Sequence, residues 1–222
     1  MRRLSRPAML NERRGGRAAD VLLWVLFCVV LLVLIFDIVR ASSFLIVEVK
    51  GNSMLDTLYG GERVGFDYRG GDIVYAVRGN DADRGEIVIL DTTSSDAFDA
   101  GGGAVFTAPV IIKRLIAAEG DCVKCEKGIV YRKCAGGEYA PLDEPYAKGK
   151  TPDFAEVRVG ENQIFFLGDN RANSADSEDI VNKGYALLTA DAIVGVVHGW
   201  ALAVKGATTW LENARAAILG LF

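Results

Sequence analysis

The chain has 222 residues, half of them hydrophobic, with 25 glycines, 5 prolines and a formal charge of -4 from 25 basic and 29 acidic residues. That composition excludes a disordered or collagen-like chain, no fixed-period repeat is visible, and the acidic balance argues against a nucleic-acid partner. The single histidine, His198, removes most histidine-based metal sites and leaves a histidine triad one candidate.

The first 20 residues form a basic tail: Arg2, Arg3, Arg6, Arg13, Arg14 and Arg17 stand against Glu12 alone through residue 19. From Val21 to Phe36 every residue is apolar, and after Asp37 the pattern continues through Ile38 and Val39. Residues 21–39 as a helix cover about 28 Å, close to the hydrocarbon thickness of a bilayer. Arginines in front and few behind predict a single-pass membrane anchor with the N-terminus cytoplasmic. A buried core helix is the weaker alternative, because the stretch is apolar on every face. A cleaved signal peptide is the other, since Val39-Arg40-Ala41 resembles a processing site, but the stretch exceeds the usual length of such a segment.

Residues 40–206 read as a mainly β, extracytoplasmic domain. FLIVEV at 44–49, GERVGFDY, GGDIVYAV, RGEIVIL, NQIFFLGDN and AIVGVVHGWALAV are short apolar runs broken by Gly and Asp. Residues 91–104 suggest a mobile loop, and CVKCEKGIVYRKC a hairpin turning at Lys127-Gly128. No long amphipathic helix is expected before residue 207. Residues 207–222 place Trp210, Ala214, Ala217, Ile218 and Phe222 at helical spacing, for packing on the domain or contact with a membrane surface. Cys28 lies in the anchor. Cys122, Cys125 and Cys134 fall in an oxidising compartment, where a structural disulfide is expected: Cys122 with Cys134 across the hairpin, or with Cys125 as the rival partner.

Scarce histidine turns attention to nucleophiles that need none. Ser53 follows a strand in Gly51-Asn52-Ser53-Met54, on a turn whose backbone N–H groups can face a substrate; most such serines only make turns. Lys113 is flanked by Ile111, Ile112, Leu115 and Ile116. A strand here puts Lys113 and Arg114 on opposite faces, so at least one points inward. Burial lowers a lysine pKa and makes the amine a usable base, whereas snorkelling to solvent is the plain alternative. His198 reads as a packed or rim residue.

The motifs GNSMLDTL (51–58), RGEIVIL (84–90), IKRLIAAEGD (112–121), PLDEPYAKG (141–149) and GDNRANSADS (168–177), following an anchor, resemble type I signal peptidases, the membrane-bound serine/lysine leader peptidases. The likeness runs from residue 21 to about 200. It implies an antiparallel β-sheet catalytic domain without cofactor, Ser53 as nucleophile with its backbone N–H at the oxyanion, and Lys113 as general base. Ser174 matches the residue orienting the lysine, while Asp176 and Arg171 match supporting positions; Met54 and Leu55 are candidates for the cleft. Implied substrates are exported preproteins with small residues at -1 and -3, cut near the translocon at the lipid bilayer. Asp56, Glu119, Ala172 and Glu178 depart from the common pattern, and Gly51 stands where some relatives carry a serine donor. The alternatives are a specialised conjugation- or pilin-related peptidase and an inactive membrane-anchored binding protein. Self-cleaving SOS repressors share the dyad but lack an anchor.

Overall fold

The computed structural model describes residues 12–219, so Arg2, Arg3 and Arg6 of the tail and Phe222 lie outside the described residues. Two units meet at Ser43. The first is helix α1 (Glu12–Ser43), within which Ala18–Ser43 is long and apolar enough to cross a membrane and has no buried residue. It runs four residues past the expected end at 39, taking in Arg40 and the small residues Ala41, Ser42 and Ser43. The Ser42 hydroxyl donates back to the Val39 carbonyl (3.0 Å), and Arg40 lies 3.7 Å from Asp37 one turn earlier.

From Phe44 onward the strands are β1 (Phe44–Glu48), β2 (Glu62–Val64), β3 (Asp67–Arg69), β4 (Ile73–Arg78), β5 (Ile87–Asp91) and β6 (Val110–Ala118). They continue as β7 (Cys122–Glu126), β8 (Ile129–Lys133), β9 (Ala140–Pro141), β10 (Phe154–Arg158), β11 (Ile164–Leu167) and β12 (Ile193–Val197). Two helices, α2 (Ser177–Asn182) and α3 (Gly199–Leu219), complete the fold. A six-stranded sheet runs β1-β4-β12-β5-β6-β11, a second sheet runs β10-β7-β8-β9, and β2–β3 is a separate ribbon. Every strand pairing is antiparallel.

The alternation of β5 explains how one sheet serves two cores, since successive side chains leave on opposite faces. Val88 and Leu90 join Phe165, Phe166 and Leu115, together with Val123 and Val130 of the second sheet. Ile87 and Ile89 join Met54, Leu58, Val74 and Ile112. A strand buried on both faces reads as a continuous apolar run, which IVIL is.

The structure departs from expectation in three places. The hairpin turns at Lys127-Gly128 as expected, with φ of 56° and 80°, but the disulfide does not follow. Cys122 pairs with Lys133, so Cys134 lies one residue on, where the strand's alternation points its side chain to the other face. Cys125 is buried opposite Val130, and all four cysteines are free thiols. Residues 91–104 are a mostly exposed loop, as expected, but one pinned at points: Thr92 and Ala97 are buried, Phe106 just after it enters the core, and the Asp99 carboxylate accepts from the Gly101 and Gly103 N–H groups. Finally, the expected last strand splits at Gly199 into β12 and the start of α3. The inward face of α3 is made of Ala201, Lys205, Thr208, Thr209 and Glu212, against β4 and the loop before it. Thr208 donates to Ile73 O (2.7 Å), Thr209 accepts from Ile73 N–H (2.8 Å), and Tyr75 bonds Glu212. Apart from Leu202, half-buried against the second core, that face is small and polar, so an apolar-face reading places the helix backwards: Trp210, Ala217 and Ile218 point to solvent, and Ala214 is half-buried.

Candidate active site

Ser53 sits on the turn between β1 and β2, anchored from below. Met54 and Leu58 are fully buried, and the Leu58 N–H donates to Met54 O at 2.8 Å. Met54 is therefore a core residue rather than one lining the cleft, and Leu55 is half-buried beside it. Gly51 holds a φ of +84°, a left-handed conformation that costs an L side chain about 1–2 kcal/mol. A serine donor at 51 would carry that strain.

The loop after β11 closes on this turn. Asn170 donates its backbone N–H to Ser53 O and its side-chain amide to Asn52 O, both at 2.9 Å. Gly168 is packed between the two serines: a Cβ there would stand 2.2 Å from Ser174 Oγ and 2.6 Å from Ser53 O.

β6 supplies two adjacent bases, and the structure buries both, Lys113 at 3% exposure and Arg114 at 7%. Their environments differ. Lys113 Nζ donates to Ser174 Oγ at 2.7 Å and forms no ion pair among the described residues. Burial lowers its pKa to about 8, against the opposing pull of Asp176, Asp179 and Asp169. Asp176 accepts from the Gly168 N–H (3.2 Å), and its own N–H donates to Asp179 at the start of α2. Burial pushes its pKa up to about 6, with Lys113 opposing.

Arg114 instead forms a two-pronged pair with Asp169 (2.8 and 2.5 Å), donates to Gly85 O, and stacks 3.8 Å over the Tyr146 ring. Asp169 also accepts from Thr57 Oγ1. One carboxylate thus ties the strand carrying Lys113 to the turn carrying Ser53. Asp169→Ala would leave a buried guanidinium without its counter-charge, and a loss of about 3–5 kcal/mol is expected in denaturant unfolding. A shift under 1 kcal/mol would show that the pair is dispensable.

Arg171 braces the same loop from its far side, holding Glu144 with two bonds (3.0 and 2.5 Å), Thr151 Oγ1, and Gly168 O at 3.1 Å. Among the departures from the common pattern, Asp56 pairs with Lys148 (2.8 Å) and Glu119 accepts from the Asn162 N–H (2.9 Å). Ala172 is exposed. Glu178 bonds Asn182, and burial followed by Asp176 and Asp179 raises its pKa to about 7. His198 Nδ1 lies 2.6 Å from Glu86, outside the cleft lining.

Ser53 and Lys113 line one cleft of about 370 Å³, with Val47–Lys50 at one wall and Ala108–Ile112 at the other. No hydrogen bond joins Ser53 Oγ to Lys113 Nζ among the described residues; the lysine's bond goes to Ser174. The Ser53 N–H likewise has no protein acceptor among the described residues. Sequence reading singled out the last motif but assigned nothing to Asp169, Asn170 or Gly168. A buried arginine needing a carboxylate was the available signal for Asp169. Thr57 gave none.

A serine on a braced turn that shares one cleft with a buried lysine amine is an arrangement suited to a serine endopeptidase. The family model for signal peptidase, peptidase S26, matches residues 21–200. Signal peptidase I S of Bacillus subtilis is 30% identical over 84% of this chain and 91% of its own length. Signal peptidase I T of the same species is 31% identical over 75% and 78%. A solved signal peptidase I from Enterococcus faecalis is 22% identical, covering 53% of this chain and 97% of its own, at a TM-score of 0.38. The chain belongs to the signal peptidase family, peptidase S26.

Proposed function

We propose that the chain removes N-terminal signal peptides from exported preproteins with Ser53 as nucleophile and Lys113 as general base. The observation that carries this is the buried Lys113 amine, held by Ser174 and sharing the cleft with Ser53. Neutral Lys113 takes the Ser53 Oγ proton as Oγ bonds the scissile carbonyl carbon, and the oxyanion faces the Ser53 N–H. Collapse breaks the C–N bond, and the lysine proton goes to the leaving amine. A water deprotonated by Lys113 then hydrolyses the ester. The missing Ser53–Lys113 bond does not count against the pair, because such bonds are commonly longer without substrate. Ser174 orients the amine, while Asp176 and Arg171 hold the loop bearing Gly168.

The cleft walls suit an extended chain. Among the described residues β1 pairs only with β4, and the 110–113 half of β6 only with β5, so each presents an open edge for strand addition. In such a strand the residues at -1 and -3 point the same way, so both small side chains would face one wall of the cleft. Ser53 follows the end of α1 by ten residues, at most about 35 Å of extended chain. That reach favours α1 as a membrane anchor and substrates cut at the bilayer beside the translocon, and the arginines ahead of the apolar stretch favour a single pass with a cytoplasmic N-terminus. The detergent-solubilised chain should release one fragment from a preprotein at a small-x-small site, mapped by mass. No cleavage of any preprotein would favour the inactive binding protein.

Asp176 gives a signed test. Activity requires neutral Lys113, so kcat/KM should rise with pH, reach half its maximum at about 8 and level above that. The Asp176 charge favours the ammonium form. Asp176→Asn should therefore move the midpoint to lower pH, and an unchanged midpoint would separate Asp176 from the lysine.

A further inference from the structure

α3 carries its polar contacts inward and leaves a bare apolar stripe outside. Trp200, Val204, Ala207, Trp210, Leu211 and Ile218 are all exposed, Trp210 at 71% and Ile218 at 84%. At 100° per residue these positions fall within a sector about 120° wide. None of the three charged residues of α3 shares it. Lys205 faces Asp72 and the Thr57 carbonyl, both at 2.8 Å; Glu212 faces Tyr75; and Arg215 is half-buried at the flank. A surface without charge that displays two tryptophans fits the boundary between headgroups and acyl chains.

Chain connectivity says which surface. Phe44 directly follows the last residue of α1, and its ring packs edge-on against Trp200, with centroids 5.9 Å apart. The start of α3 is thus pinned to the residue at which the chain leaves its apolar helix. We propose that α3 lies in the membrane surface, its outward stripe seated among the lipids on the side where α1 ends. This rests on the reading of α1 as an anchor. The seated helix bears on the catalytic turn through the bond from Lys205 to Thr57, four residues beyond Ser53.

The test uses the full chain in phosphatidylcholine/phosphatidylglycerol vesicles containing acyl-brominated lipid, which quenches nearby indoles. Three versions keep one tryptophan each, Trp24 in α1, Trp200 or Trp210, with phenylalanine at the other two positions. Trp200 and Trp210 should be quenched, most strongly by bromines close to the headgroups, at a depth of about 5–10 Å. Quenched Trp24 with unquenched Trp200 and Trp210 would overturn the α3 proposal and leave the anchor standing. Unquenched Trp24 would overturn both. A Trp210 emission that shifts blue with protein concentration, without quenching, would assign the stripe to a second copy and equally overturn the proposal.

Discussion

Lys113→Met is expected to abolish cleavage and, at pH 7, to make the folded chain more stable. The two effects share one cause. A lysine whose pKa falls from 10.5 to about 8 on folding binds its proton less tightly in the folded state than in the unfolded one. Below pH 8 that difference opposes folding by about 3 kcal/mol, and it fades as pH rises from about 8 to 10.5. Methionine has similar length and no charge, so it removes the cost and forfeits about 1 kcal/mol for the bond to Ser174. The expected net gain is about 2 kcal/mol, or roughly 4–8 °C in Tm for a domain of this size. Activity should fall by at least the 10²–10⁴-fold of a general base, and Ser53→Ala should be as inactive without that gain. Thermal melts in detergent across pH 7–10 read the stability arm: the wild type should become more stable with rising pH, and the variant should lack that rise. A variant less stable than wild type at pH 7 would mean that the amine is solvated and not poised as a base.

This trade between stability and chemistry bears on what the sequence could show. Lys113 stood out because four branched or aliphatic neighbours implied a strand, and a strand must bury one of two adjacent bases. The structure buries both, which alternation along β6 could not indicate: covering Arg114 needs Asp169, Thr57 and Tyr146, brought from elsewhere in the chain. The β class, the 127–128 turn and the apolar helix were legible for the same local reasons, since periodicity and turn residues act over a few positions. α3 was legible only in part. Its inward face is alanine, threonine and lysine, satisfied by hydrogen bonds to Ile73 and Asp72, and no hydrophobic period reports such a face. The cysteines show the same limit. Their spacing suggested a bond, but one residue of register decides which side of a hairpin each thiol occupies.

Gly168→Ala is expected to cost both stability and turnover, far more than its single methyl suggests. The Cβ would meet Ser174 Oγ at 2.2 Å and Ser53 O at 2.6 Å. Neither neighbour yields freely, since Ser174 holds the Lys113 amine and the Ser53 carbonyl is held by the Asn170 N–H. Overpacking of this kind costs about 1–3 kcal/mol, and a displacement near 1 Å between nucleophile and base is worth about 10²-fold in rate. The loss should fall on kcat, because the cleft walls of β1 and β6 lie outside the clash and KM depends on them. Gly206→Ala supplies the contrast. That glycine lies exposed on α3 with nothing within 4 Å of its Cβ position, and alanine there should stabilise by about 1 kcal/mol without touching kcat. If Gly168→Ala instead raised KM at constant kcat, the glycine would serve peptide binding, and the close approach of Ser53 and Ser174 would not set the rate. If both substitutions behaved alike, that packing would have no special hold on the reaction.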